Sequence, residues 1–126
     1  MATSSGNKAK PKVLVVDDEK VIADTLAIIL NQHGYDASPV YTGTAAVERA
    51  RNVRPDLIIS DVIMPDMNGI EAAISIRRFL PECKILLFSG QAATANLLET
   101  ARAQGHEFEI LAKPIHPQDL LAKLQT

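Results

Sequence analysis

The sequence has no tryptophan, one cysteine and few aromatic residues, which make up 4% of its 126 residues. The single cysteine, Cys83, excludes an intrachain disulfide and fits a reducing compartment, so we expect a cytoplasmic location. We interpret Cys83 itself as an inert apolar residue that fills space ahead of a strand. No stretch approaches the ~20 consecutive apolar residues of a membrane-spanning helix.

The sequence also lacks a strong charge imbalance, because its formal net charge is -2 and no long run has one sign. Neither nucleic acid nor an anionic membrane is therefore favoured as a partner. The basic residues of the second predicted helix, Arg49, Arg51 and Arg54, are expected to form a solvated face. Residues 1–11 have no apolar segment typical of a signal peptide and are expected to be a flexible tail. The remaining residues, 12–126, suffice for one domain with a single core.

Short apolar runs alternate along the chain with segments of helical spacing. Branched apolar residues without polar alternation indicate strands that are buried on both faces. The predicted strands are Val13–Val16, Asp36–Val40, Ile58–Asp61, Ile85–Phe88 and Phe108–Ala112. A helix is predicted after each strand, and Gly34, Pro81 and Gly105 are expected to end or break the first, third and fourth helices.

The two weakest strands are predicted to lie at the edges of the sheet. Pro39 cannot donate a hydrogen bond to a neighbouring strand, which places the second strand at one edge. The acids Glu107 and Glu109 place the fifth strand at the other. Right-handed crossovers then require a parallel sheet with helices on both faces. The predicted fold class is a flavodoxin-like, doubly wound (βα)5 α/β fold with strand order 2-1-3-4-5.

The first predicted helix has a clear apolar face. Ile22, Leu26, Ile29 and Leu30 recur at helical spacing and are expected to face the core. His33, next to the helix end, suits the negative end of the helix dipole and needs no role as a ligand.

Polar residues that can carry chemistry follow four of the predicted strands. They are Asp17 and Asp18, Asp61, Ser89, and Lys113. All lie at carboxyl ends of strands, where an open parallel sheet places its active sites, so they can converge on one crevice. Crowded carboxylates need a counter-charge, and their oxygens suit a hard cation such as Mg²⁺. With a lysine and a hydroxyl nearby, the set indicates a site for a metal, a nucleophilic acid and a phosphoryl group.

Each of these residues also has a simpler interpretation. Asp17 and Asp18 could cap the first helix, but Lys20 and Val21 stand where a reciprocal capping box needs Glu or Gln. The segments Ser89–Gly90 and Lys113–Pro114 could be an ordinary turn and an ordinary strand exit. Their joint occurrence at four appropriate strand ends favours the functional interpretation.

These motifs are recognisable together, and the sequence resembles the receiver domain of bacterial two-component response regulators. The resemblance covers nearly everything from Lys12 to the end of the chain. Its carrying segments are Val15–Glu19, Asp61–Gly69, Phe88–Gly90 and Lys113–Pro114. Because the chain ends with the fifth predicted helix, we expect either a stand-alone receiver that acts through partners or a piece of a larger protein.

The resemblance implies that Asp61 accepts a phosphoryl group from a phosphohistidine, with Mg²⁺ as the cofactor. Asp18 and Asp61 would ligate the metal directly together with the backbone carbonyl of Ile63. Asp17 would act largely through water. The protein would thus be a phosphoacceptor rather than an enzyme, although it would assist its own phosphorylation and dephosphorylation.

The resemblance also assigns the remaining residues of the site. Lys113 would pair with a phosphoryl oxygen, and the Lys113–Pro114 peptide bond is expected to be cis. Ser89 would bond to the phosphoryl group and couple phosphorylation to movement of the adjoining loop. The family often has Tyr or Phe three residues before the lysine. Ile110 stands there instead, which puts that part of the usual response in doubt.

The implied partners are a sensor histidine kinase or histidine phosphotransfer protein and an unidentified downstream protein. The downstream protein would bind the face formed by the fourth helix, the fifth strand and the fifth helix. Direct binding to nucleic acid or membrane is not expected.

Two other classes of protein use similar residues. A Mg²⁺-dependent phosphatase of the haloacid dehalogenase type has a second acid two residues after its nucleophile, where this sequence has Ile63. A flavin- or nucleotide-binding module needs a phosphate-binding loop after the first strand. The acidic run Asp17–Glu19 would repel phosphate there unless a metal intervened. Turnover of a generic phosphomonoester or a bound flavin would favour these alternatives.

Overall fold

The computed structural model describes residues 10–90 and 94–124. Most of the predicted tail, residues 1–9, lies outside this part of the chain. Strands and helices alternate throughout the described residues, as the sequence predicts. Their bounds are β1 Lys12–Val16, α1 Lys20–Gln32, β2 Asp36–Val40, α2 Gly43–Val53, β3 Leu57–Asp61, α3 Gly69–Phe79, β4 Lys84–Ser89, α4 Thr94–Ala103, β5 Glu109–Ala112 and α5 Pro117–Leu124.

The five strands form one parallel sheet in the order β2-β1-β3-β4-β5. This confirms the predicted fold class and strand order. Strands β2 and β5 are the edges, and Pro39 of β2 lies opposite Val15 of β1. All five residues of the central strand β3 are buried. The last of them, Asp61, is thus held in the middle of the sheet at its carboxyl edge.

Successive residues of the inner strands pack into two core layers, one on each face of the sheet. In β1, Leu14 and Val16 pack with the layer of α2, α3 and α4. Val13 and Val15 pack with α1 and α5 on the other face. Both faces of the strand are therefore covered by helices, which explains why the sequence shows apolar runs instead of alternation.

The buried face of α1 differs from the prediction by a small rotation of the helix. Leu26 and Leu30 are buried as expected, but Ile22 and Ile29 are only partly buried. The fully buried positions beside the two leucines are Ala23 and Ala27. Small alanine side chains let the helix approach the sheet closely, and the larger Ile22 packs at the margin of that core layer.

The ends of the helices follow local chemistry. Gly34 ends α1 with φ +94°, a left-handed conformation that glycine adopts without strain. The ring Nδ1 of His33 hydrogen-bonds to the carbonyl of Ile29 at 2.8 Å, in keeping with its position at the helix end.

Helix α3 begins with a reciprocal capping box. Asn68 Oδ1 accepts a hydrogen bond from the backbone N–H of Glu71 at 2.8 Å, and Glu71 Oε1 accepts from the N–H of Asn68 at 3.3 Å. This box fixes the helix start, and hence the far end of the loop that follows Asp61.

Within residues 10–90 and 94–124, no helix combines the length and the apolar character needed to cross a membrane.

Candidate functional site

The predicted site residues lie along the carboxyl edge of the sheet. Asp17 directly follows β1, Asp61 ends β3, Ser89 ends β4 and Lys113 directly follows β5. These four strands are consecutive neighbours in the sheet, so their ends line one crevice. One oxygen from each of Asp17, Asp18 and Asp61 lies within 4.8 Å of the others. The three carboxylates therefore converge as the sequence predicts.

The carboxylates differ in their environments. Asp17 is fully buried, Asp61 is 6% exposed, and Asp18 is exposed to solvent. Asp17 Oδ1 accepts a hydrogen bond from the backbone N–H of Glu19 at 2.9 Å. Its Oδ2 is buried without a hydrogen-bond partner among the described residues. Burial raises the pKa of Asp17, although the bond from Glu19 and the charge of Lys113 partly oppose this.

Lys113 supplies the counter-charge to this cluster. Its Nζ donates a hydrogen bond to Asp61 Oδ2 at 3.0 Å and lies 3.6 Å from Asp17 Oδ2 and 3.9 Å from Glu19 Oε1. Burial alone would lower the pKa of Lys113, but the hydrogen bond and charge of Asp61 and the charges of the other two acids raise it overall. The ammonium also lies 5.2 Å from the centre of the Phe88 ring. The lysine is thus held in its charged form between the two buried carboxylates.

The end of β5 is tied to the end of β4. The backbone N–H of Lys113 donates to the carbonyl of Ser89 at 3.1 Å. Ser89 is buried, and the Lys113–Pro114 peptide bond is cis, as predicted. The structure therefore brings Ser89 to the same edge as the carboxylates. The loop that continues from it, residues 91–93, lies outside the described residues.

The backbone at Asp61 is held by a close contact with the start of α3. A Cβ atom at Gly69 would lie 2.1 Å from the Asp61 carbonyl oxygen, so only glycine fits there. The N–H of Gly69 donates to the carbonyl of Val62 at 2.7 Å, and Ser60 Oγ donates to the Asp61 carbonyl at 2.9 Å. These contacts fix the direction in which the Asp61 side chain leaves the strand.

The donor set fits a hard divalent cation. Mg²⁺ prefers oxygen ligands and usually keeps several bound water molecules. The exposed carboxylate of Asp18 leaves room for such water. The buried Oδ2 of Asp17, which has no hydrogen-bond partner among the described residues, is an acceptor that lies 3.6 Å from Lys113 Nζ. Ile63 lies in the loop after β3 and is 42% exposed, and the role of its carbonyl stays a prediction.

The sequence patterns assign no role to two further acids, Glu19 and Asp66. Glu19 contacts Lys113, and its place in the acidic run after β1 was a signal for it. Asp66, in the loop after β3, accepts hydrogen bonds from the backbone N–H groups of Gly43 at 3.2 Å and Thr44 at 2.9 Å. Hydrogen bonds to the side chain and backbone of Thr44 hold the pKa of Asp66 well below its usual range. No sequence pattern indicates which helix a loop carboxylate will reach.

Fold and site together define a doubly wound α/β domain that gathers carboxylates around a lysine at the ends of its strands. The sequence matches the model of the response regulator receiver domain family over residues 13–125, so the chain belongs to this family. It is a receiver domain of the two-component response regulator type, similar to CheY.

Individual relatives agree with this assignment. The chain is 32% identical over 114 residues to the chemotaxis protein CheY of Thermotoga maritima, covering 90% of this chain and 93% of the relative. It is 30% identical over 113 residues to the probable transcriptional regulatory protein TcrX of Mycobacterium tuberculosis. That match covers 90% of this chain but only 47% of TcrX, so the chain spans about half the length of this relative.

Solved structures show the same architecture. The chemotaxis protein CheY4 of Vibrio cholerae superposes with a TM-score of 0.82 at 33% identity, covering 93% of this chain and 98% of that one. A CheY-like receiver domain from Methanospirillum hungatei also gives a TM-score of 0.82, at 27% identity, covering 92% and 91% of the two chains.

Proposed function

We propose that Asp61 accepts a phosphoryl group from the phosphohistidine of a histidine kinase or phosphotransfer protein, in a reaction that requires Mg²⁺. The observation that carries this proposal is the pairing of the buried Asp61 carboxylate with Lys113 Nζ at 3.0 Å beside two further carboxylates. A buried acid with a counter-charge and access to a cation is suited to nucleophilic attack on phosphorus.

The chemistry follows from the groups that face Asp61. A carboxylate oxygen of Asp61 attacks phosphorus, the P–N bond of the phosphohistidine breaks, and its electron pair returns to the imidazole. Lys113 offsets the negative charge on the transferring oxygens. Asp18 and Asp61 would hold Mg²⁺ with the Ile63 carbonyl, and Asp17 would act through water. When bound, the cation would offset further charge on the phosphoryl oxygens.

The proposed output is a change in contacts with other proteins. Ser89 would hydrogen-bond the phosphoryl group and move the loop that follows β4. A downstream protein would bind the face of α4, β5 and α5, and neither nucleic acid nor a membrane would be bound directly. The domain, residues 12–126, would assist its own phosphorylation and dephosphorylation without acting on a separate substrate. A cytoplasmic location stays a prediction.

The test is labelling with a small acyl phosphate in the presence of Mg²⁺, followed by measurement of the intact mass. The wild-type protein should gain one phosphoryl group and Asp61→Ala should gain none. Asp56→Ala is a matched control, because Asp56 precedes the first residue of the same strand and lies exposed at its opposite end. This control should be labelled like the wild type. Equal labelling of the Asp61→Ala protein would contradict the proposal.

A further inference from the structure

Asp66 connects the loop after the phosphoacceptor strand to a different helix. The loop, residues 62–68, joins β3 to α3 and includes Ile63. Both carboxylate oxygens of Asp66 are used, one by the N–H of Gly43 and the other by the N–H of Thr44. These residues begin α2, where backbone N–H groups have no partner within the helix. Asp66 therefore supplies acceptors to the first turn of α2 from more than 20 residues away in sequence.

The loop lies directly against this turn of α2. A Cβ atom at Gly43 would lie 2.5 Å from the Met67 carbonyl oxygen and 3.0 Å from Met67 Cβ, so a larger residue would push the two segments apart. The far end of the loop is fixed separately by the hydrogen bond from Gly69 to Val62. Asp66 thus provides a second anchor between the two ends of the loop.

We propose that Asp66 is a positioning residue for the magnesium site, because it fixes the loop whose Ile63 carbonyl would be a metal ligand. The inference rests on the proposed function, since that function gives the carbonyl its role. Asp66 acts through the loop backbone and not on the phosphoryl group. Groups that orient metal ligands commonly affect affinity about 10- to 100-fold when they are removed.

The experiment separates this role from simple stabilisation of α2. Thr42 Oγ1 caps the same turn of the same helix, because it accepts a hydrogen bond from the N–H of Ala45 at 3.0 Å. Thr42→Ala and Asp66→Ala should both lower the melting temperature. Of these two variants, only Asp66→Ala should weaken the binding of Mg²⁺, by about tenfold in a calorimetric titration. Asp66→Asn retains an acceptor oxygen, so it is the more stable variant, and an intermediate affinity is expected for it.

A second measurement does not need the metal. Amide hydrogen exchange in the loop should accelerate in metal-free Asp66→Ala and Asp66→Asn proteins but not in Thr42→Ala. Unchanged Mg²⁺ affinity in both Asp66 variants, or equal losses in these and in Thr42→Ala, would overturn the inference. If the wild-type protein neither binds Mg²⁺ nor is labelled at Asp61, the proposed function fails and the metal role of Asp66 with it. The exchange comparison then decides whether Asp66 fixes the loop.

Discussion

At the scale of single residues, Asp17 has the least favourable environment in the site. Its carboxylate is fully buried, and its Oδ2 has no hydrogen-bond partner in the described part of the chain. Leaving a buried polar group without a hydrogen bond costs ~1–3 kcal/mol of stability. We therefore expect the buried Asp17 carboxylate to lower the stability of the metal-free protein.

Asp17→Asn tests this expectation. Removing the buried charge should raise the free energy of unfolding of the metal-free protein by about 1 kcal/mol or more. The wild type should in turn be stabilised by Mg²⁺, by about 1.4 kcal/mol at a concentration tenfold above its Kd. The variant should gain less from the metal. Urea denaturation with a chelator or with Mg²⁺ measures both effects. Equal stability of the two metal-free proteins would contradict the first, and a wild-type curve that is indifferent to millimolar Mg²⁺ would contradict the second.

Cys83 is a second residue whose behaviour follows from burial. Burial, and next the charge of Asp56, raise the pKa of Cys83 from 9.0 to about 11. The thiolate is the reactive form, so the native protein should react with a disulfide reagent at pH 8 about tenfold or more slowly than the urea-unfolded protein. Absorbance of the released thiol measures the rate. Equal rates in the two states would show that the thiol is accessible and not inert.

The raised pKa also gives the sign of a pH effect. The unfolded thiol loses its proton near pH 9.0 and the folded thiol only near 11, so deprotonation favours unfolding between these values. The contribution of Cys83 to stability is complete below pH 9.0 and is lost as the pH rises toward 11. A Cys83→Val variant should lack this component of the alkaline loss.

The site shows which residue-level features sequence can predict. Asp61 and Lys113 each follow an apolar run, and the topology of a parallel sheet then brings them together without further information. Asp66 has no such signal. Its partners at the start of α2 include the backbone N–H groups of Gly43 and Thr44, and backbone donors look the same at every position of a sequence.

At the scale of secondary-structure elements, the free edge of β2 is closed by a side chain of α1. Asn31 Oδ1 accepts a hydrogen bond from the N–H of Ala37 at 2.8 Å, and Asn31 Nδ2 donates to the carbonyl of Ala37 at 3.0 Å. Two residues further along the strand, Pro39 has no N–H to offer. An edge protected in this way has little capacity to pair with another strand.

Asn31→Ala should expose that edge. Loss of two partly buried hydrogen bonds is expected to lower the free energy of unfolding by about 1–2 kcal/mol and to increase aggregation on warming. Asn52→Ala on the exposed face of α2 is the matched control and should have little effect. Denaturation and light scattering measure the two consequences. Equal behaviour of the two variants would show that Asn31 does not protect the strand.

The elements themselves were largely predictable, but their orientation was not. Turn residues such as Gly34 bounded the helices correctly, because only glycine adopts that conformation without strain. The rotation of α1 toward Ala23 and Ala27 was not predictable from periodicity. The predicted apolar face depends mainly on the large residues leucine and isoleucine. The distance between the helix and the sheet depends instead on where the small side chains lie.

At the scale of the whole molecule, the site and the proposed output face share strand β5. Ile110 of β5 lies opposite Leu87 of β4. Leu87 precedes Ser89 by two residues, and Ile110 precedes Lys113 by three. It packs against the core layer of α2, α3 and α4. The site therefore has two connections to the output face, one through the paired ends of β4 and β5 and one through the chain that leads from Ser89 to α4.

The response to phosphorylation should consequently be confined to the β4 side of this pair. Phosphorylation should draw the Ser89 hydroxyl toward Asp61 and move the segment from residue 89 to the start of α4. Ile110 is branched at Cβ, stiff at its first torsion, and too short to fill the space that Ser89 leaves. We therefore expect β5 to shift little, and the affinity for a downstream partner to rise less than an aromatic residue at position 110 would allow.

Amide and methyl chemical shifts of the metal-bound protein, with and without beryllofluoride as the phosphoryl analogue, test this expectation. The largest changes should occur at Ser89 and at the start of α4. Ile110→Tyr is the control, since a large ring at this position should extend the changes into β5. A side chain that stays packed against its core layer keeps its environment. Methyl shifts of Ile110 in the wild type as large as the shifts at Ser89 would therefore show that this isoleucine takes part in the switch.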